Sequence, residues 1–403
     1  MVTKIGVGES KKIDPFEAGV EAAKAALNNA GINTCDFILL FATADYDHEI
    51  LLKGVKSVTG AVPLSGCSAS GVITQSGPSG EGYYTESGLV KGESTVGLMA
   101  FASDKIRFHN YIVHGLKENS KKAGEQLGKI ISSLSEDPVI LIMLPDGLTV
   151  NSNAFFSAIE KNIKKPLLFS GGCASENLNA LKTYQFFNDQ VFSDSASCIL
   201  ISGEVNIEMA ISHGCTPIGV EKTVTRAEAN RIYEINHEPT WAFFKSYLPE
   251  NVEDFTAEVA GTLCICEKLP EELATNYDTH IVRAPAAKYP DDSVLMLAEI
   301  PTGSKIQLGR RDAEKISQNA RKMAERIKRN LGNKKPIAVF HFDCAARGKL
   351  CFGEEAKEKG IDVIQNVFDK DIPWLGLYSY GEIGPIGGKN FFHNFTASLC
   401  VLY

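Results

Sequence analysis

Three near-continuous apolar runs punctuate the chain: residues 37–42 (FILLFA), 139–144 (VILIML) and 337–342 (IAVFHF). Strands that are solvated on one face alternate polar and apolar positions, so unbroken runs of this length predict strands buried on both faces, as in parallel or mixed sheets. Each run leads into an acidic loop: Asp45 and Asp47 after the first, Asp146 after the second, Asp343 after the third. A helix-compatible stretch follows, then a short strand (62–64, 167–169, 374–377) that ends in a glycine-containing turn: SGCSASG at 65–71, SGGCASE from Ser170, and YSYGEIGP at 378–385. The same strand, acidic loop, helix, strand and turn therefore occur three times, and such internal repetition governs any fold assignment.

If the two strands of each copy pair in parallel through a right-handed crossover, the acidic loop and the glycine turn lie side by side at the strands' carboxyl ends. Segments 83–101 and 182–202 alternate in polarity and contain turn signals at Lys91-Gly92 and Asn188-Asp189, which predicts antiparallel hairpins, and 394–403 predicts a closing strand. Helices are expected at 16–30, 118–134, 238–248 and 312–331, the last capped by Asp312 and stopped at Gly332. Segments 258–267 and 292–299 read as one further hairpin joined by a proline-containing loop. The fold class is α/β, with mixed sheets built from the repeated unit, antiparallel hairpins, and two domains packed together. The division is placed near residue 230, giving 1–230 and 231–403.

Composition narrows the function classes. With 44% hydrophobic and 22% charged residues over 403 positions, the chain reads as an ordinary globular protein. A net charge of −8 gives no reason to expect nucleic acid or an anionic bilayer as partner. The basic stretch Arg310, Arg311, Lys315, Arg321, Lys322, Arg326, Lys328 and Arg329 is interrupted by acids and reads as a solvated helix face. No apolar run reaches the length of a membrane span and the first residues lack the core of a secretion signal, so a cytoplasmic location without membrane insertion is expected. The ten cysteines are dispersed, which favours reduced, buried thiols.

The segments GCSASGVI at 66–73, SGGCASEN at 170–177, GCTPIGVEKTVTRAEANRIYEI at 214–235, FDCAARG at 342–348, and YGEIGP with FHNFT between 380 and 396 together resemble the FIST N-terminal and C-terminal domains. The resemblance implies a sensory domain of signal transduction that binds a small ligand such as an amino acid. It also implies a signalling partner such as a histidine kinase, a chemotaxis receptor or a cyclic-dinucleotide enzyme, supplied separately because the sequence shows no output domain. Some relatives are reported to bind haem, so a haem-based gas sensor is an alternative reading, although no Cys-x-x-Cys-His attachment signal is present.

Candidate chemistry concentrates in the turns. Glu382 lies between Gly381 and Gly384, where small neighbours let a ligand amine approach, and Arg347 offers a fork for a ligand carboxylate. The plainer alternative is that Glu382 caps a turn or pairs with an internal arginine. Cys344, just past a buried strand and near Arg347, is a possible nucleophile, so a thiol or acid/base enzyme using Cys344 and Glu382 stands as a second function, less favoured because no neighbouring histidine supplies a base. Hydroxyls of Ser65, Ser68, Ser70, Ser170 and Ser175 could cradle an anion, or the small residues could simply permit tight packing. His393 is the first histidine to consider as a haem ligand or pocket residue, with His109, His114, His213 and His341 behind it. The candidate ligand set is Glu382, Arg347, Cys344, Ser68, Ser70, Ser170, Tyr380 and His393. No metal site is expected: the histidines are scattered, and Cys264 and Cys266 are taken to point to opposite faces of a strand. All of this depends on the three turns converging on one cavity that Glu382 and Arg347 face.

Overall fold

The computed structural model describes residues 3–403 apart from 86–87, 136–137, 251, 253 and 275–276. Each copy of the repeat is a sheet-and-helix unit. The first comprises strand Lys4–Ser10, helix Pro15–Ala30, strand Phe37–Thr43, helix His48–Thr59, and strands Leu64–Ala69 and Val96–Ala102. The second follows the same order: Ile106–His114, helix Leu116–Ser133, Pro138–Pro145, helix Ser152–Asn162, Leu168–Gly172 and Ser195–Gly203. The third runs through Ile207–Ser212, helix Ala313–Leu331, Ala338–Cys344, short helical turns, Trp374–Ser379 and Ala397–Leu402. The central pair is parallel in every unit, with Leu40 opposite Gly66, Met143 opposite Gly171, and His341 opposite Gly376. Those three glycines are required by contact: a Cβ on Gly66, Gly171 or Gly376 would stand 1.9, 2.0 or 2.2 Å from the carbonyl oxygen of Leu40, Met143 or His341.

Alternate residues of the apolar runs serve two cores. Phe37, Leu39, Phe41, Ile140, Ile142, Leu144, Phe340 and Phe342 pack in one central cluster shared by the three sheets. Ile38 and Leu40, Leu141 and Met143, and Val339 face outward onto each unit's own helices. Double-sided burial is what the unbroken runs predict. Capping is equally local: Asp14 and Asp312 accept the amides of Glu17 and Lys315, and Gly31 ends the first helix at φ 61°.

The units exchange hairpins in a ring. The hairpin of Val72–Thr74 and Gly77–Ser79 leaves the first unit and pairs with Leu375–Leu377 of the third. Gln185–Phe187 and Gln190–Phe192 leave the second and pair with Ser65–Cys67 of the first. Glu382–Ile386 and Lys389–His393 leave the third and pair with Gly171 and Gly172 of the second. Three six-stranded mixed sheets result.

The predicted helices are found at Pro15–Ala30, Leu116–Ser133, Thr240–Lys245 and Ala313–Leu331, and the closing strand at Ala397–Leu402. Asn188-Asp189 is the turn of its hairpin, with Asn188 at φ 56°. In 83–101 the hairpin pairs Tyr83–Thr85 with Gly88–Val90, so Lys91-Gly92 follows it, and the connecting residues 86–87 lie outside the described set. The hairpin expected from 258–267 and 292–299 does not form. Residues Ala257–Thr262 are helical, and Leu263–Lys268 pairs with His280–Arg283 and Lys305–Arg310 instead. These strands belong to a fourth sheet, of eight strands, which spans 216–310 and is inserted between the first strand and the long helix of the third unit, with its own core around Val224, Ile232, Phe244 and Ile265. Residue 230 falls in the turn between two of its strands, Thr216–Glu228 and Arg231–Ile235. No helix among the described residues is long and apolar enough to cross a membrane.

Candidate functional site

The three turns do converge. Ser68 donates its hydroxyl to the Ser175 carbonyl (2.8 Å) and accepts the Tyr184 amide (2.9 Å). Ser175 Oγ accepts the Ser70 amide (2.8 Å) and donates to the Tyr378 carbonyl, while Ser70 Oγ donates to the Glu176 carbonyl. The Tyr380 hydroxyl donates to Glu176 Oε1, which also accepts the Ala180 amide (2.6 Å). Asp45 of the first acidic loop accepts from Asn177 Nδ2 (2.8 Å), so an acidic loop does lie against a glycine turn. Asp146 is turned inward onto the amides of Leu148 and Asp194, both at 2.9 Å.

The convergence closes the space instead of lining it, which corrects the expectation of a shared cavity faced by Glu382 and Arg347. Glu382 is fully buried, and its oxygens accept from Ser379 Oγ (2.9 Å), Thr396 Oγ1 (2.7 Å) and the Thr396 amide (3.1 Å). Burial pushes its pKa up to about 8 although these three donors oppose the rise. Arg347, 1% exposed, donates from Nε to Asp343 Oδ1 (2.7 Å), and His341 Nε2 stands 3.1 Å from Asp343 Oδ2. Burial alone would raise the Asp343 carboxyl, but Arg347 and His341 hold it below the usual carboxylate range. Glu382 and Arg347 do not pair with one another; each has its own buried partners.

Cys344 faces Cys215, Cys264, Cys266 and Phe395 in a closed cluster, and burial drives its thiol far above the ordinary value, the reverse of nucleophile activation. Ser170 is buried beside Cys400. His393 is fully buried between Tyr277 and Phe391, its Nε2 3.1 Å from the Gly384 carbonyl. Burial lowers its pKa to about 3, leaving a neutral ring with one nitrogen engaged and no open face; as a haem ligand it does not fit. Among the other histidines, His341 serves Asp343 and His114 Nδ1 bonds Ser195 Oγ (2.8 Å). The opposite-face reading of Cys264 and Cys266 is incorrect: strands repeat every two residues, so both thiols share one face, each within 2.6 Å of where a Gly309 Cβ would stand.

An open cavity lies one layer outside Arg347. It has a volume of about 330 Å³ and is lined by Glu81, Tyr83, Lys91, Lys349 and Lys357 among others. Glu81, 8% exposed, forms its inner wall and accepts the Lys349 amide (3.1 Å). Burial pushes this carboxyl up to about 7. Behind it the Tyr378 hydroxyl lies against the carboxylate without the alignment of a formed hydrogen bond, and Arg347 Nη2 is likewise buried without a partner. Lys349 Nζ sits 5.0 Å over the Tyr83 ring. Glu81 and Lys349 thus both line a polar hollow at the carboxyl ends of the third unit's parallel strands, the usual location of ligands in open α/β sheets.

Family comparison now adds to this geometry. The FIST N domain model matches residues 36–238 and the FIST C domain model residues 241–385. The chain belongs to the FIST family. FIST domains are sensory domains of signal transduction. An uncharacterised protein of Mycobacterium tuberculosis is 25% identical to this FIST protein over 406 residues, covering 99% of each, and an uncharacterised Mycobacterium bovis protein is 26% identical over 262 residues, 64% of this chain and 66% of its own length. A crystal structure of chorismatase aligns over 100% of this chain and 99% of its own at 8% identity, with a TM-score of 0.35 that is too low to carry fold or chemistry across.

Sequence reasoning missed Glu81, although it stands between Gly80 and Gly82 and so has the same small-neighbour setting that singled out Glu382. Tyr378 and Glu176 were also missed. Their roles depend on which turns meet, and no local pattern encodes that.

Proposed function

We propose that this FIST protein binds a small zwitterionic metabolite of the amino-acid class in the Glu81 cavity and passes the binding event to a signalling partner. The observation that carries the reading is that a buried carboxyl, Glu81, and the basic residue Lys349 line the same polar hollow of about 330 Å³. An α-ammonium suits Glu81, and its arrival favours the ionised carboxylate over the neutral form that burial supports. The ligand carboxylate suits Lys349. Arg347, Tyr378 and Asp343 stand directly behind and fix the charge of the wall. Through Tyr378 the wall connects to the Ser70, Ser175 and Tyr380 junction, so a ligand that reorients Glu81 acts on all three units. The partner suits a histidine kinase, a chemotaxis receptor or a cyclic-dinucleotide enzyme, the outputs with which sensory domains operate.

A thermal-shift screen of the amino acids tests this. A ligand at a hundredfold excess over its Kd stabilises the fold by about 2.7 kcal/mol. Glu81→Gln, which keeps shape and removes charge, should abolish the shift without unfolding the protein. A shift that survives Glu81→Gln, or a panel without any shift, refutes the assignment.

A further inference from the structure

The three units differ at one joint. Thr95, Ser195 and Thr396 are equivalent residues: the carbonyl oxygen of each accepts the amide at the end of its unit's central strand, from Thr43 (2.9 Å), Asp146 (2.9 Å) and Cys344 (3.0 Å). In the second and third units the exchanged hairpin ends at Phe192 and His393, so that only 193–194 and 394–395 separate it from these positions. In the first unit the hairpin ends at Ser79, and residues 80–94 intervene before Thr95. The added segment folds on itself. Tyr83–Thr85 pairs with Gly88–Val90 in a two-stranded sheet that joins no other strand among the described residues. Its two ends cross at glycines, where a Cβ on Gly92 would stand 2.1 Å from the Gly80 carbonyl oxygen.

This segment supplies Glu81, Tyr83, Lys91 and Glu93 to the wall of the cavity. At the other two joints the corresponding place is occupied: His48 lies against the rings of Tyr184 and Phe186 (4.8 and 4.9 Å), and Asp146 is bonded inward. The charges round the mouth are mostly matched with one another. Lys11 pairs with Glu93 (3.1 Å), Lys91 with Asp45 (3.5 Å) and Lys357 with Asp362 (2.7 Å), while Glu354 is exposed to solvent. The paired charges therefore give no reason for a ligand side chain to be charged. The remaining wall includes the Tyr83 ring, Pro78 and Ala356, all surfaces that suit an apolar group.

Resting on the amino-acid reading of this cavity, we propose that Tyr83 is its specificity-determining residue and that the preferred ligand is an amino acid with a neutral aromatic side chain. Glu81 receives the ammonium, and the Tyr83 ring receives the side chain in an offset or edge-to-face contact. Lys349 Nζ stands 5.0 Å over that ring, a weak cation–π contact at a partly open site. The ligand carboxylate draws this ammonium aside and leaves the ring face to the ligand. An aliphatic side chain gains burial at the same place but no ring-on-ring geometry. A lone two-stranded segment is weakly held, so the ring adjusts to its ligand without disturbing the three large sheets.

Isothermal titration calorimetry with L-phenylalanine, L-leucine and glycine is the test. We expect L-phenylalanine to bind about tenfold or more tighter than glycine and about threefold tighter than L-leucine. Tyr83→Ala should cut the preference for L-phenylalanine over glycine about tenfold, and Tyr83→Phe should keep it. An L-phenylalanine affinity no higher than that of L-leucine, or a preference indifferent to Tyr83→Ala, overturns the assignment. Glycine binding that Glu81→Gln abolishes would in that case leave the amino-acid reading standing, so the two fail separately. Silence for all three ligands also overturns the proposal, and the wider thermal-shift screen then decides the parent reading by itself. Should Tyr83→Ala melt early, Tyr83→Leu serves the same purpose, and an unchanged preference for L-phenylalanine over L-leucine in that variant is equally decisive.

Discussion

The Glu382 carboxylate accepts both the backbone amide and the hydroxyl of Thr396, which ties the third unit's exchanged hairpin to the strand that closes the chain. Its pKa is raised from 4.5 to about 8, so the sign of its effect on stability is fixed. The unfolded chain ionises first, and stability falls as pH rises from about 4.5 through about 8, then levels. The gap corresponds to at most about 5 kcal/mol. Glu382→Gln should flatten this decline in urea unfolding measured between pH 5 and 9; an unchanged slope would show that Glu382 is not its source.

Arg347→Met leaves Asp343 buried beside His341 without its principal cation. A loss of about 3–5 kcal/mol is expected in denaturant midpoints. Adding Asp343→Asn should recover a measurable part, because the unpaired charge is then removed. Equal stability of the single and double variants would contradict the pairing.

Tyr380→Phe deletes the donor to Glu176 that links the second and third turns. We expect destabilisation of about 1–3 kcal/mol, since Glu176 loses a partner in a buried setting. A calorimetric melting temperature matching wild type would place the link outside the folded-state energetics.

Mild alkylation of the native protein followed by mass spectrometry should label the partly exposed Cys351 well before Cys344, Cys264 or Cys266, all of which are buried. Preferential labelling of Cys344 would revive the thiol-enzyme reading.

Gly309→Ala would drive a methyl group onto two sulfur atoms at 2.4 and 2.6 Å. A cost of about 1–3 kcal/mol is expected, relieved when Cys264 and Cys266 are both changed to Ala. Failure of that relief would place the clash elsewhere.

The sequence made the repeated unit legible because each apolar run serves two cores, leaving no polar face to blur it: Phe37, Leu39 and Phe41 on one side, Ile38 and Leu40 on the other. The cap at Asp312 was readable for the same local reason. The inserted sheet was not, since its strands pair with neighbours far along the chain, as Leu263–Lys268 does with Lys305–Arg310. The turns were recognised as meeting, yet whether they would enclose a hollow or fill it depended on side chains donating to one another's backbone, as Ser175 does to Tyr378.

Hairpin exchange also dictates the order in which a growing chain can be finished. The 72–79 hairpin leaves the ribosome about three hundred residues ahead of its host at Leu375–Leu377. A product halted near residue 230 would carry that orphaned hairpin, and its second sheet would lack the guest contributed by Glu382–His393. The amino-terminal half therefore reaches its final form only after translation of the carboxyl-terminal half.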